Sequence, residues 1–146
     1  MCIRDRYSFD IQPEAIERTQ TRLDAAKITN VTLLQQSHEN LTQHLDQADV
    51  SKVSAVMFNL GYLPGGSKAI TTTPESTRNA IVNAAKLIQP GGVISILVYV
   101  GHDGGREEAE VVVSVLNELA EGPFEVSKHK APVDRPVAPI LYLLRK

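Results

Sequence analysis

Two polar, glycine-rich loops follow the two most apolar segments of this sequence. The first loop, Asn59–Gly66, follows the run Val53–Phe58, and the second, Gly101–Gly105, follows the run Val93–Val100. In open α/β sheets a ligand binds in the crevice outside the carboxyl ends of the strands. Because the two loops carry Asn, Tyr, His and Asp among their glycines, we predict that they form one binding site.

The residue types in the first loop suit the binding of an amine nucleophile. The side-chain carbonyl of Asn59 and the backbone carbonyl of Leu60 can accept hydrogen bonds from the N–H groups of an amine, and Tyr62 can stack on a base or line the cofactor. An ordinary turn explains Gly61 and the Pro64-Gly65-Gly66 sequence, which permit unusual backbone conformations, but not Asn59 and Tyr62 together. We therefore predict catalytic roles for Asn59 and Tyr62, cofactor contacts for Asn59 and Gly61, and substrate contacts for Leu60, Tyr62, Pro64 and Gly65.

The second loop carries a histidine that can act as a base or as a hydrogen-bond partner. His102 is followed by Asp103, which can fix the imidazole tautomer, although a loop histidine can also be simply solvated. We predict a catalytic role for His102 and substrate contacts for Gly101, His102 and Gly104. No metal site is expected, because the four histidines lack ligand spacing and Cys2 is the one cysteine.

The elements that must position these loops alternate between strand and helix. The apolar periodicity and the positions of Pro and Gly predict six strands: Tyr7–Asp10, Val31–Gln35, Val53–Phe58, Val93–Val100, Phe124–Lys130 and Ile140–Leu144. The same signals predict four helices: Pro13–Lys27, Leu41–Leu45, Thr73–Ile88 and Arg106–Leu119. The continuous run Val53–Phe58 suits a strand buried on both faces. The alternation implies a parallel α/β sheet, and the last two strands, with no helix between them, predict an antiparallel hairpin. That hairpin is typical of the Rossmann-like class I methyltransferase sheet and has no role in a dinucleotide oxidoreductase.

Two further strand ends in such a sheet carry candidate cofactor ligands. Asp10 ends the first strand, where a carboxylate can accept two hydrogen bonds from a ribose diol; capping of the helix that begins at Pro13 is the alternative. Ser37 and His38 lie in the loop that flanks an adenine ring in this fold, while Glu39 suits capping of the next helix. The predicted cofactor-binding set is thus Asp10, Gln12, Ser37, His38, Asn59 and Gly61.

Composition limits the class of protein. At 146 residues, with 42% hydrophobic and 22% charged residues, the chain fits one globular domain. The net charge of −2 weakens a nucleic-acid function without excluding a local basic patch. No apolar run approaches the roughly 18 residues of a membrane helix, so we expect no membrane partner and a cytoplasmic location. The sequence leaves the oligomeric state open and is compatible with a homodimer.

The chain resembles the bacterial "putative rRNA methylase" family. The resemblance rests on Phe9–Gln12, Ser37–Leu41, Phe58–Gly66, Pro90–Gly92 and Gly101–Gly105, and Asn59–Tyr62 is similar to the Asn-Pro-Pro-Tyr loop of amine methyltransferases. It implies S-adenosylmethionine as the cofactor and an RNA amine as the substrate. Members of this family are similar to tRNA methyltransferases that complete 5-methylaminomethyl-2-thiouridine, which implies the 5-aminomethyl group of the wobble 2-thiouridine.

One part of the family pattern has no counterpart here. The family begins with a strand and a glycine-rich loop that approaches the methionine half of the cofactor, and this strand lies between those ending at Asp10 and Asn59. We expect residues 1–6 to be a non-native leader, residues 7–146 to be a partial methyltransferase domain, and cofactor binding to be impaired. The alternatives are a small-molecule N- or O-methyltransferase and a non-catalytic nucleotide-binding fragment.

Overall fold

The amino-terminal part of the protein is a β-α-β unit. The computed structural model describes residues 6–44, 52–61, 71–101, 104–130 and 138–146. Strands β1 (Arg6–Phe9) and β2 (Val31–Leu34) pair in parallel, and helix α1 (Pro13–Ala25) connects them. Pro13 is the first helical residue, as predicted, because a helix needs no N–H donor at that position. A 3₁₀ helix, His38–His44, follows β2, so the predicted short helix begins earlier than Leu41.

The rest of the chain builds a four-stranded mixed sheet with two helices. Its strands lie in the order β3-β4-β6-β5, with β3 parallel to β4 and β6 antiparallel to both neighbours. The closing antiparallel hairpin predicted from the sequence is therefore present. The bounds are β3 (Val53–Asn59), α2 (Pro74–Leu87), β4 (Ile88–Val98), α3 (Gly105–Ala120), β5 (Glu125–Lys130) and β6 (Ile140–Arg145).

The junction between α2 and β4 differs from the predicted helix stop followed by a strand at Val93. β4 already begins at Ile88, and the register with β3 shifts at the start of the strand, which marks a bulge. Gly91 has a φ of +77°, which L side chains rarely adopt, and a Cβ on Gly92 would lie 2.7 Å from Cγ1 of Ile88. The two glycines thus lie inside β4, at the irregularity in its register with β3, and permit the unusual backbone there.

One face of the four-stranded sheet carries the core. Fully buried side chains of β4 and β6, among them Ile94, Ile96 and Leu144, pack there against α2, α3 and the 3₁₀ helix. The helices contribute fully buried side chains such as Ile81 and Val112. The prediction that β3 is buried on both faces is wrong. Met57 is 84% exposed, whereas its neighbour Phe58 is buried. Only one face of β3 has helices packed on it in the described part of the chain, so the alternate side chains remain in solvent.

The strands form two sheets. Within the described ranges β1 pairs only with β2, and β3 pairs on one side only, with β4. Each of these strands therefore presents backbone N–H and C=O groups without a strand partner.

None of the helices in the described ranges is long and apolar enough to cross a membrane. No group of three or more His, Cys, Asp or Glu side chains suited to a metal ion occurs among those residues either.

Candidate functional site

The backbone at the carboxyl end of β3 is held from two directions. The Leu60 N–H donates to the Leu97 carbonyl of β4 at 3.0 Å, and the Leu60 side chain is only 3% exposed. Gly61 has a φ of +117°; its N–H donates to Oγ1 of Thr72 at 2.9 Å, and its carbonyl accepts from the Thr72 N–H at 3.3 Å. Asn59 is exposed at this fixed end, and its side chain has no hydrogen bond to the described residues. Among the described residues, nothing occupies this exposed amide.

The loop after β4 is described at its two ends. Gly101 is exposed just past the strand, and Gly104 is the residue before α3, with a φ of +79°. A residue other than glycine would be strained at Gly104, because this conformation is rarely open to L side chains. The predicted site residues Tyr62, Pro64, Gly65 and His102 lie outside the described residues, and their roles stay predictions.

Asp10 lies at the carboxyl end of β1 and already makes one local hydrogen bond. Its Oδ1 accepts from the Gln12 N–H at 2.9 Å, which fixes the turn into α1. Gln12 is buried beneath this turn. The local bond uses one carboxylate oxygen, so capping and ribose binding by Asp10 are compatible. Both residues stay predicted cofactor ligands.

Ser37 precedes the 3₁₀ helix, and His38 is its first residue. The Ser37 Oγ accepts from the Glu39 N–H at 3.4 Å, and the Ser37 carbonyl accepts from the Asn40 N–H at 3.1 Å. The His38 ring lies edge-on to Phe58 of β3, with 6.0 Å between ring centroids. These contacts bring the end of β2 beside the end of β3. The two residues stay predicted cofactor ligands, although the His38 ring is turned toward the core.

Burial lowers the pKa of His38, because it disfavours the charged imidazolium. Four groups oppose this effect and raise the pKa: the carboxylate of Glu108, that of Glu39, the backbone carbonyl of Ser76 and the carboxylate of Asp10, in decreasing order. Burial prevails, so His38 is neutral in the folded protein over a wider pH range than in the unfolded chain.

The lowered pKa predicts a loss of stability on acidification. As the pH falls below the ordinary pKa of 6.5, the unfolded chain binds a proton at His38 before the folded protein does, which favours unfolding. We expect the free energy of unfolding, measured with urea between about pH 8 and about pH 5, to fall more steeply for the wild type than for His38→Gln. His129→Gln, at an exposed histidine of β5, should keep the wild-type slope. Equal slopes in all three proteins would contradict the prediction.

Sequence reasoning missed a buried polar pair between α2 and α3. Thr77, in the first turn of α2, donates its hydroxyl to Oε1 of Glu108 at 2.5 Å, and both side chains are at most 1% exposed. Oε2 of Glu108 and Nε2 of His38 are also buried and have no hydrogen-bond partner among the described residues. A signal was present: Glu108 falls on the buried stripe of α3, three residues after Gly105 and four before Val112.

The fold is that of class I methyltransferases. A "putative rRNA-methylase" from Clostridium thermocellum superposes with a TM-score of 0.88 at 38% identity, covering 96% of this chain and 74% of that chain. A "putative methyltransferase" from Streptococcus mutans, solved in complex with S-adenosylhomocysteine, superposes with a TM-score of 0.84 at 30% identity, with the same coverages of 96% and 74%.

Within this class, the chain belongs to the family described as "Putative rRNA methylase", which matches residues 6–145. The resemblance stated from the sequence is thus confirmed. A relative from Arabidopsis thaliana, "tRNA (mnm(5)s(2)U34)-methyltransferase, chloroplastic", is 39% identical over 144 residues. That match covers 96% of this chain and 52% of the relative, so the chain spans about half the length of the plant protein.

Proposed function

We propose that this chain is part of an S-adenosylmethionine-dependent methyltransferase that methylates an amine of RNA, namely the 5-aminomethyl group of wobble 2-thiouridine in tRNA. The 39% identical plant relative bears the name of that activity, and the structural relative from S. mutans was solved with S-adenosylhomocysteine. We expect a cytoplasmic enzyme, although the name of the plant relative includes "chloroplastic".

The observation that carries the proposal is the exposed Asn59 amide on a backbone fixed by hydrogen bonds to Leu97 and Thr72. A side-chain carbonyl held in this way can accept an N–H of the substrate amine and aim the nitrogen lone pair. The Leu60 carbonyl is the second proposed acceptor. An amine attacks only when it is neutral, and two uncharged carbonyl acceptors stabilise its ammonium form less than a carboxylate would, which leaves the deprotonated form accessible.

The described residues fit the ribose side of the cofactor. Asp10 stands at the end of β1 with one carboxylate oxygen not used by its bond to the Gln12 N–H, and such an acceptor suits a ribose diol. S-adenosylmethionine, when bound, supplies an electrophilic methyl group. We propose that Asp10, Gln12, Ser37, His38 and Gly61 face the cofactor. The proposed substrate side comprises Leu60, Tyr62, Pro64, Gly65, Gly101, His102 and Gly104.

The sheet register supports an RNA substrate. It aligns Asn59, Leu97, Leu141 and His129 in one row across the four strands. At about 4.8 Å per strand, His129 and the next residue, Lys130, lie roughly 15 Å from Asn59 at the same edge of the sheet. Both are exposed. A basic strand end at this distance can bind a phosphate near the nucleotide that presents its amine to Asn59.

The experiment that tests the proposal measures transfer of labelled methyl groups to tRNA that carries 5-aminomethyl-2-thiouridine. It is run on the 146-residue chain. We expect labelled tRNA, with no label in tRNA that lacks the aminomethyl group. Label in small amines and none in tRNA would contradict the RNA proposal and favour a small-molecule methyltransferase. Cofactor binding by calorimetry without any transfer would favour a nucleotide-binding fragment.

A pair of charge reversals separates RNA binding from chemistry in this assay. Lys130→Glu should raise the KM for tRNA, with a smaller effect at higher salt, because a phosphate contact is lost. Lys52 is an exposed lysine just before β3, at the end of the sheet opposite to Asn59. Lys52→Glu should therefore leave the KM for tRNA unchanged. An equal effect of both reversals would mean that only net charge matters.

A further inference from the structure

We propose that Glu108 is a positioning residue whose buried carboxylate ties together the loops that follow β2, β3 and β4. The assignment rests on the proposed function only in treating these loops as parts of one site. Its starting point is the Thr77–Glu108 hydrogen bond, made in the core between the first turns of α2 and α3.

The connection from Thr77 to the Asn59 loop is continuous. Thr77 lies four residues after Thr73, the residue before α2, and its N–H donates to the Thr73 carbonyl at 2.9 Å. The preceding residue, Thr72, exchanges two hydrogen bonds with Gly61. The position of the first turn of α2 therefore sets the position of the Gly61 backbone, two residues after Asn59.

On the other side, Glu108 fixes the beginning of α3. Its N–H donates to the carbonyl of Gly104 at 2.9 Å, and Gly104 closes the loop that follows β4. The same side chain thus connects the loops after β3 and β4. A carboxylate buried to this degree costs free energy unless other groups stabilise it, and the Thr77 hydroxyl stabilises only one of its two oxygens.

His38 connects the loop after β2 to Glu108. It follows β2 by four residues, and the Glu108 carboxylate is the strongest of the groups that favour its protonated form. Glu39 and Asp10 act on the ring in the same direction, as does the backbone carbonyl of Ser76. The hydrogen bonds agree with this, because the Asn83 side chain of α2 donates to the Glu39 carbonyl at 3.1 Å and so holds the 3₁₀ helix that carries His38 against the helix that carries Thr77. Nε2 of His38 and Oε2 of Glu108 are both buried and have no hydrogen-bond partner among the described residues.

Two variants of Thr77 test the connection without requiring methyl transfer. Thr77→Val keeps the side-chain volume and removes the hydroxyl, whereas Thr77→Ser keeps the hydroxyl. We expect amide hydrogen exchange at Gly61 to be faster by about tenfold or more in Thr77→Val and close to wild type in Thr77→Ser, with Ile96 of the core unchanged in both. Wild-type exchange at Gly61 in Thr77→Val, or equal acceleration in both variants, would overturn the proposal.

Glu108→Gln provides a spectroscopic readout. Removing the carboxylate charge should shift the NMR titration midpoint of the His38 ring to lower pH, because the imidazolium loses its strongest stabilising neighbour. Glu107→Gln, the same change at the exposed neighbour on α3, should leave the midpoint in place. An unshifted midpoint in Glu108→Gln would contradict the connection to His38. Because neither readout uses a methyl acceptor, failure of the proposed activity would not affect them.

Discussion

Replacing Asn59 by alanine should lower the kcat of methyl transfer to the tRNA amine by about 100-fold or more. The change removes the acceptor that we propose directs the attacking nitrogen, and misdirection of a nucleophile is costly because the methyl group must be approached in line. The backbone should not change, since the hydrogen bonds of Leu60 and Gly61 involve no atom of the Asn59 side chain. The measurement is steady-state transfer of labelled methyl groups.

Two further variants serve as controls for Asn59→Ala. Asn59→Asp keeps an acceptor oxygen and should retain more activity than Asn59→Ala. Asn117→Ala, at an exposed asparagine of α3, should behave as wild type. If Asn59→Ala and Asn117→Ala were equally active, the loop after β3 would not hold the amine, and the substrate side of the site would have to be sought elsewhere.

Ile96→Ala should reduce the free energy of unfolding by about 2–5 kcal/mol, because it leaves a cavity beside Phe58 in the core of the four-stranded sheet. Ile96 is fully buried and pairs in register with Phe58 of β3. A loss of this size is a large part of the 5–15 kcal/mol that is typical of a domain. Urea titration followed by circular dichroism measures it.

Met57→Ala is the matched control, since Met57 precedes Phe58 in the same strand but is 84% exposed. It should change the free energy of unfolding by no more than about 0.5 kcal/mol. A loss comparable to that of Ile96→Ala would show that something covers the outer face of β3 in solution.

Sequence patterns determined the order of the elements and the ends of the strands that carry the candidate site. Alternating strand and helix periods predicted the parallel pairs and the closing hairpin, because those patterns depend on local spacing. Pro13 and the Thr73-Pro74 pair predicted where α1 and α2 begin, since capping is decided within one turn. Asn59 was predicted as a site residue because an ordinary turn explains the glycines of its loop but not Asn59 and Tyr62 together.

The sequence alone could not determine which faces of these elements are covered. The apolar run Val53–Phe58 predicted a strand buried on both faces, yet Met57 is exposed because burial depends on what packs against the strand. Likewise, the helix stop predicted at Pro90–Gly92 lies within β4, because Gly91 and Gly92 exchange backbone hydrogen bonds with the distant residue Lys146.

What the sequence by itself determined is therefore local: element types, caps, and the chemistry available at each strand end. Only the tertiary structure decided which of these groups meet. In the folded chain the His38 ring lies edge-on to Phe58, the buried Glu108 accepts a hydrogen bond from Thr77, and the Gly61 N–H donates to Thr72. Residues 31 positions apart, such as Thr77 and Glu108, leave no joint signal in a single sequence, because their contact arises only when α2 and α3 pack on the same face of the sheet.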